Sequence, residues 1–181
     1  MKDNGDAIRW AGYVGVLAAV GLFWWLGAVW RMLRRAEGGT PRLAVAAVAG
    51  AVFGAMAAAL AGIVLGVVGI VGVAGSGGAA GTRFFYILSF NIGIATGVGI
   101  AVFAGATSAV IIRTGVLPKA LGWFGALVAL LGIVGTAGVA STRDVFFVIG
   151  FAGFLGFALW VLIASVMMLR GMGSEQAAST A

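Results

Sequence analysis

Five long segments without a charged residue constrain this chain more than any other feature of its sequence. Each of them reaches the roughly 20 residues that a helix needs to cross about 30 Å of hydrocarbon. Inside lipid a backbone must satisfy its own hydrogen bonds, so such segments become helices. The sequence therefore predicts an all-α fold, a polytopic transmembrane bundle of about five spanning helices. The uncharged segments are residues 10–30, 43–82, 84–112, 120–142 and 145–169.

The scarcity of charge excludes a water-facing surface. Charged residues make up 9% of the 181 positions and hydrophobic residues 62%, whereas a soluble domain carries about 25% charged residues. The net charge of +6 comes from basic residues at the edges of the apolar segments, where such residues contact anionic lipid. We therefore expect membrane lipid, and not nucleic acid, as their partner. The chain has no Cys and no His, so we predict no metal site, no cofactor and no disulfide.

The second uncharged segment, residues 43–82, is long enough for one span or two. Its far end is rich in glycine, which disfavours a helix and is typical of a loop. We predict one span followed by a glycine-rich connection that contains Gly69, Gly72, Gly75, Gly77, Gly78 and Gly81. The five predicted spans cover residues 8–31, 43–69, 84–112, 119–140 and 143–169, in one transmembrane domain of residues 1–170. Residues 171–181 are predicted to form a short, disordered cytoplasmic tail.

The distribution of basic residues predicts the orientation of the chain. With five spans and the N-terminus outside, the cytoplasmic side holds seven basic residues and the outside holds four. The cytoplasmic set is Arg31, Arg34, Arg35, Arg42, Arg113, Lys119 and Arg170, and the outer set is Lys2, Arg9, Arg83 and Arg143. A second span within residues 43–82 would change the split to six and five. The positive-inside rule therefore favours five spans and a cytoplasmic C-terminus.

Small residues recur every four positions in two of the predicted spans. This spacing keeps them on one face of a helix, and small side chains let another helix approach closely. The helix-packing residues are Gly50, Gly54, Gly62 and Gly66 in the second span and Gly93, Gly97 and Gly105 in the third, with Ala58, Ala101 and Ala109 completing the pattern. We expect the two faces to pack against each other. Contact within a homo-oligomer or with another membrane protein, and a lipid-binding groove, are the alternatives.

The third span contains polar residues that need hydrogen-bond partners inside the membrane. Asn91 lies about 12 Å from the boundary set by Arg83, and a hydrogen bond in this setting is worth about 0.6–2 kcal/mol. Trp160 lies near mid-membrane in the last span, and its indole N–H could donate to Asn91. A structural hydrogen bond between helices is one interpretation, and a polar site for a small ligand or a lipid head group is the other. The candidate polar site comprises Ser89, Asn91, Thr96 and Trp160.

Three segments carry a resemblance to known sequences. They are LRRAEGG at residues 33–39, RTGVLPKALGW at residues 113–123 and WVLIASVMMLR at residues 160–170. In these segments the chain resembles an uncharacterised family of multi-pass integral membrane proteins, a domain of unknown function typical of high-GC actinobacteria. The similarity runs from about Ile8 to Arg170. It implies a location in the bacterial plasma membrane and no particular biochemistry.

No ionisable side chain lies inside a predicted span when those at the span ends, Arg9, Arg83, Arg143 and Asp144 among them, are taken as boundary residues. Proton-coupled transport and intramembrane catalysis need such groups, so we predict that the protein is not an enzyme and has no catalytic residue. The small-residue faces favour a non-enzymatic scaffold or partner subunit that works through helix association. The alternative is a carrier or binder of a neutral or lipidic small molecule. A third possibility is that the basic loop between Arg31 and Arg42 binds a soluble regulator.

Overall fold

The computed structural model of the chain describes residues 2–74, 78–141 and 144–179. In these residues every regular element is helical. The elements are α1 (Lys2–Glu37), α2 (Arg42–Ala74), α3 (Gly78–Thr114), α4 (Lys119–Thr136), a 3-10 turn (Ala137–Val139) and α5 (Asp144–Ser179). Each of the five α-helices is long and apolar enough to span a bilayer. The predicted all-α fold with five spanning helices is therefore confirmed.

One helix, α2, covers most of the segment that could have held two spans. It continues to Ala74, five residues beyond the predicted end, and α3 begins at Gly78. Gly69 and Gly72 therefore lie in α2, Gly78 and Gly81 lie in α3, and Gly75 and Gly77 lie outside the described residues. The predicted loop is too long because each glycine costs only about 1 kcal/mol in a helix. Unpaired backbone groups in an apolar environment cost several times more.

The C-terminal end also differs from the prediction. Helix α5 continues to Ser179, so residues 171–179 are helical where a disordered tail was expected, and residues 180 and 181 lie outside the described part of the chain. This segment contains Glu175, Gln176, Ala177 and Ala178, which are good helix formers, and no proline. Polarity alone was therefore a poor indicator of the helix end.

The five helices pack in chain order. Helix α1 packs on α2, α2 on α3, α3 on α4, and α4 on α5, and α3 also contacts both α1 and α5. Among the described residues, no Cα atom of α1 lies within 8 Å of a Cα atom of α5. The bundle is therefore an arc of neighbouring helices with α3 at its centre and α1 and α5 at its edges.

The turn between α1 and α2 is fixed by a side chain. The Glu37 carboxylate accepts hydrogen bonds from the backbone N–H groups of Leu43 and Ala44, at 2.8 and 2.9 Å. These donors belong to the first turn of α2 and have no partner within the helix. Gly38 and Gly39 between them have φ angles of 61° and 47°, a backbone conformation that favours glycine. A short loop can therefore place the carboxylate over the start of α2.

The main apolar core lies in the half of the bundle that contains this turn, which we call the closed half. Its largest fully buried side chains include Leu33 of α1, Phe103 and Ile111 of α3, and Trp160 of α5. The rings of Trp25 and Trp160 both meet Phe103 edge-on, with centroids 5.8 and 5.9 Å apart. The indole N–H of Trp25 donates to the Ser165 hydroxyl at 2.8 Å. Large side chains therefore join α1, α3 and α5 across the closed half.

The outer surface of the helices carries large apolar side chains. Trp24 in α1 is 84% exposed, and Leu162 in α5 is 64% exposed. A water-facing surface would not tolerate apolar exposure on every helix, whereas a lipid-facing surface requires it. The surface thus agrees with the five apolar helices in indicating a multi-pass membrane protein.

Candidate functional site

A cavity of about 570 Å³ lies between α3, α4 and α5 in the half of the bundle opposite the closed half. We call this half the open half and the space the α3–α5 cavity. Its volume falls within the range of about 300–1,000 Å³ that is usual for small-molecule sites. Its lining on α3 extends over eleven residues from Phe90 to Ile100, a rise of about 15 Å along the helix. It is more enclosed than the groove that the described residues form between α1 and α2.

Glycine contacts on both sides of α4 create the cavity. A Cβ atom added to Gly97 of α3 would lie 3.3 Å from the carbonyl oxygen of Gly132, and one added to Gly135 would lie 2.5 Å from Cα of Gly150 in α5. The backbones of α3 and α5 therefore both lie close to α4 at this level. The space beside these contacts, between α3 and α5, is the cavity. The gap follows from how these glycines place the two helices.

Phenylalanine rings form one wall of the cavity. Phe147, Phe151 and Phe154 follow one another along α5, and Phe90 faces them from α3. The rings of Phe90 and Phe147 have centroids 5.5 Å apart, and those of Phe147 and Phe151 are stacked at 6.2 Å. Each of these rings is about half exposed. The rings are therefore accessible to a bound molecule without any rearrangement of the core.

The two ends of the cavity differ in polarity. One end is lined by Asn91, Ser141 and Asp144, and the other by Ile100, Gly132 and Phe154. Asp144 is the first residue of α5 and the only ionisable side chain that lines the cavity among the described residues. The polar end therefore coincides with the start of a spanning helix, and the apolar end points toward the middle of the bundle.

The structure divides the predicted polar site. Asn91 and Thr96 line the cavity, whereas the Ser89 hydroxyl donates to the Ala61 carbonyl oxygen at 2.9 Å and joins α3 to α2. The Thr96 hydroxyl oxygen is buried and has no hydrogen-bond partner among the described residues. The cavity thus contains two of the four predicted residues.

The predicted hydrogen bond between Trp160 and Asn91 is wrong. The Trp160 indole N–H donates to the Leu121 carbonyl oxygen in α4 at 2.9 Å, and the Asn91 amide donates to the Ile87 carbonyl oxygen one turn earlier in its own helix, also at 2.9 Å. Trp160 is 1% exposed in the closed half, and Asn91 lies at the far end of the open half. Each side chain donates to a nearby backbone carbonyl oxygen instead. The predicted depth of the two residues in the membrane gave no information about these acceptors.

The predicted helix-packing glycines contact three different helices. Gly50 and Gly54 lie against Phe103 and Gly99 of α3, whereas Gly62 lies against Gly12 of α1. In α3, Gly97 and Gly105 face α4. A Cβ atom added to Gly97 would lie 3.3 Å from the Gly132 carbonyl oxygen, and one added to Gly105 would lie 3.6 Å from the Ala129 Cβ atom. The predicted face of α2 thus contacts α3 at Gly50 and Gly54, but the predicted face of α3 contacts α4, so the two faces do not pack against each other as a pair. Gly66 and Gly93 contact nothing within 4 Å of an added Cβ atom, and Gly93 lines the cavity.

Sequence reasoning missed most of the residues that shape the cavity. Gly132, Gly135 and Gly150 were not among the predicted packing residues, and their helices contain no run of small residues at a spacing of four. Phe147, Phe151 and Phe154 share one face of α5 at helical spacing, which is a signal available in the sequence. It indicates a continuous aromatic surface but not a cavity beside it.

Comparisons with known proteins identify no relative of this chain, so the candidate function is argued from the geometry of the cavity. No family model, no curated protein and no solved structure matches this chain. The lining supplies apolar and aromatic contact, a few hydrogen-bonding groups and one carboxylate. Pockets that bind small molecules typically have this composition. The arrangement suits reversible binding of a mostly apolar molecule.

Proposed function

We propose that this protein is a non-enzymatic membrane protein that binds or carries a largely apolar small molecule in the α3–α5 cavity. The observation that carries the proposal is the cavity itself, with its phenylalanine wall and with Asp144, the only carboxylate among the described lining residues, at one end. The role of scaffold or partner subunit has less support, because contacts inside the chain already use five of the seven predicted helix-packing glycines, all but Gly66 and Gly93. Binding of a neutral or lipidic molecule is the hypothesis that agrees better with the geometry.

We further propose that the protein lies in a bacterial plasma membrane with its N-terminus outside. The support is the distribution of basic residues and the resemblance to actinobacterial membrane proteins. Arg34 and Arg35 at the end of α1, Arg113 at the end of α3 and Lys119 at the start of α4 belong to helix ends in the closed half. With this orientation the closed half faces the cytoplasm, and the polar end of the cavity lies at the outer surface.

A substitution at Gly93 tests the proposed binding site. An added Cβ atom at this position meets no atom within 4 Å, and Gly93 lines the cavity, so we expect Gly93→Leu to fill part of the space without disturbing helix packing. We expect the variant to fold and to lose any molecule that is enriched with the wild-type protein relative to the bulk membrane. Mass spectrometry of small molecules that co-purify in membrane nanodiscs measures this enrichment.

Gly66→Leu is the matched control for this test. Gly66 also has nothing within 4 Å of an added Cβ atom, but it lies in α2 and does not line the cavity. We expect Gly66→Leu to retain the enriched molecule. If Gly93→Leu and Gly66→Leu, both folded, retain the same set of molecules as the wild type, the cavity is not the binding site.

A second candidate function is association with another membrane helix at a groove between α1 and α2. This groove has a volume of about 770 Å³ and is lined by apolar residues, among them Phe23, Gly27, Trp30, Val45 and Phe53. An added Cβ atom at Gly27 meets nothing within 4 Å, so another backbone can approach there. Crosslinking in native membranes should capture a dimer or a partner that Gly27→Leu reduces. A monomer in both cases would contradict this function.

A further inference from the structure

We propose that the α3–α5 cavity selects a cationic amphiphile, a molecule with an ammonium head group and an apolar body. This inference rests on the proposed function and specifies the ligand class of the same site. The head would lie beside Asp144, Phe90 and Phe147, and the apolar body would extend toward Ile100 and Phe154. Charge, aromatic geometry and position in the membrane each support this assignment.

The charge of the lining favours a cation. Asp144 is exposed at the polar end of the cavity, and it is the only ionisable side chain among the described lining residues. The N-terminus of a helix attracts negative charge, and Asp144 in the first turn of α5 already supplies one. A bound ammonium group would pair with this carboxylate at the membrane boundary. An anionic head group would meet like charge.

The aromatic rings at the same end favour a cation as well. Phe147 follows Asp144 by three residues in α5, so the two side chains lie on neighbouring positions of one helix face. The Phe90 ring lies 5.5 Å from the Phe147 ring, centroid to centroid. A cation within about 6 Å of a ring centroid is attracted by the π-system, and quaternary ammonium groups are recognised in this way. The carboxylate and the two rings therefore supply both elements of ammonium recognition.

The position of the cavity matches the orientation of an amphiphile in a bilayer. Asp144 begins α5 and thus lies at a membrane boundary, whereas the lining reaches Phe154 about 15 Å deeper along the helix. A molecule held with its head at the boundary and its body among the phenylalanine rings keeps each part in the environment that it prefers. Asn91, whose amide already donates to Ile87, retains a carbonyl oxygen whose partial negative charge also favours a cationic head group.

Three probes with the same chain test this selectivity. They are dodecyltrimethylammonium, dodecanol and dodecyl sulfate, and their radiolabelled forms are titrated against the protein in phosphatidylcholine nanodiscs, with protein-free nanodiscs as the background. We expect the ammonium probe to bind about ten times more tightly than dodecanol and dodecyl sulfate to bind most weakly. We expect Asp144→Asn to remove the advantage of the ammonium probe and Asp144→Glu to keep it. Arg143→Gln should leave the order of the three probes unchanged.

The outcomes separate failure of the inference from failure of the proposed function. If Gly93→Leu abolishes binding of all three probes but Asp144→Asn leaves their order unchanged, the cavity binds ligands without charge selection and the inference is wrong. A preference for dodecyl sulfate that Arg143→Gln removes would overturn it in favour of an anionic ligand. If Gly93→Leu has no effect on any probe, the proposed function itself fails. Dodecanol serves as the internal measure of apolar binding throughout.

Discussion

The closed and open halves of the bundle hold the same helices together in opposite ways. In the closed half, large side chains such as Phe103 and Trp160 reach across the bundle and fill the space between α1, α3 and α5. In the open half, glycines bring the backbones of consecutive helices together, and the space between α3 and α5 remains a cavity. The comparison teaches that tight contact between neighbouring helices does not by itself produce a filled interior.

Every consecutive pair of helices has a contact between two glycines. The pairs are Gly12 with Gly62, Gly54 with Gly99, Gly97 with Gly132, and Gly135 with Gly150. Because lipid tails are as apolar as the side chains, helix association in a bilayer depends on close packing more than on removal of apolar surface from water. Such contacts stabilise neighbours without using volume in the interior. A cavity can therefore coexist with a well-packed bundle.

Truncation of Trp160 should produce the largest loss of stability and tests the closed half. The side chain is 1% exposed and donates a hydrogen bond to Leu121, so Trp160→Ala leaves a large void. We expect a loss of about 3–5 kcal/mol in the free energy of unfolding, measured by denaturant titration in mixed micelles. Trp24→Ala is the matched control, since Trp24 is 84% exposed. Equal losses in the two variants would contradict the closed half as the main core.

Enlargement of a glycine should have an intermediate effect and tests the open half. An added Cβ atom at Gly135 would lie 2.5 Å from Cα of Gly150, so Gly135→Ala forces α4 and α5 apart. We expect a loss of about 1–3 kcal/mol, measured in the same titration. Gly66→Ala, which adds a methyl group in open space, should be neutral or stabilising by up to about 1 kcal/mol. A Gly135→Ala protein as stable as Gly66→Ala would show that backbone contact does not hold the open half.

Removal of one hydrogen bond between the edge helices should have the smallest effect. Trp25→Phe keeps an aromatic ring against Phe103 but removes the donor to Ser165. We expect a loss of about 0.6 kcal/mol, the usual value for a hydrogen bond between membrane helices. Ser165→Ala should lose a similar amount, and the double variant should lose no more than either single one. Additive losses would mean that the two side chains do not act as a pair.

The number of spans was predictable because it depends on quantities that are local in sequence. Length without charge and the positions of basic residues suffice to indicate five helices, and α2 is indeed one helix across residues 42–74. Glycine counts failed to predict the ends of α2 and α3 because a bilayer favours a paired backbone over local preference. Helix ends, unlike helix number, are set by this balance.

The candidate site was only partly predictable because it depends on which helices are neighbours. Gly97 and Gly99 are two residues apart, yet Gly97 faces α4 and Gly99 faces α2, since two residues rotate the helix by about 200°. A spacing of four identifies a face for close approach but not the helix that approaches it. Asn91 and Thr96 were predicted as polar residues in need of partners, and both line the cavity. The aromatic wall of α5 could be placed opposite them only in the folded bundle.

The arrangement of the helices in chain order has a consequence for biosynthesis. The most extensive interfaces each join a helix to the one synthesised just before it, so each can form as soon as the second helix enters the bilayer. Domains and segments that appear first during synthesis generally fold first. The last helix then supplies Trp160 to the interior, Ser165 to Trp25 and the phenylalanine wall to the cavity. A nascent chain that lacks α5 would hold its first four helices together but would have no pocket for a ligand.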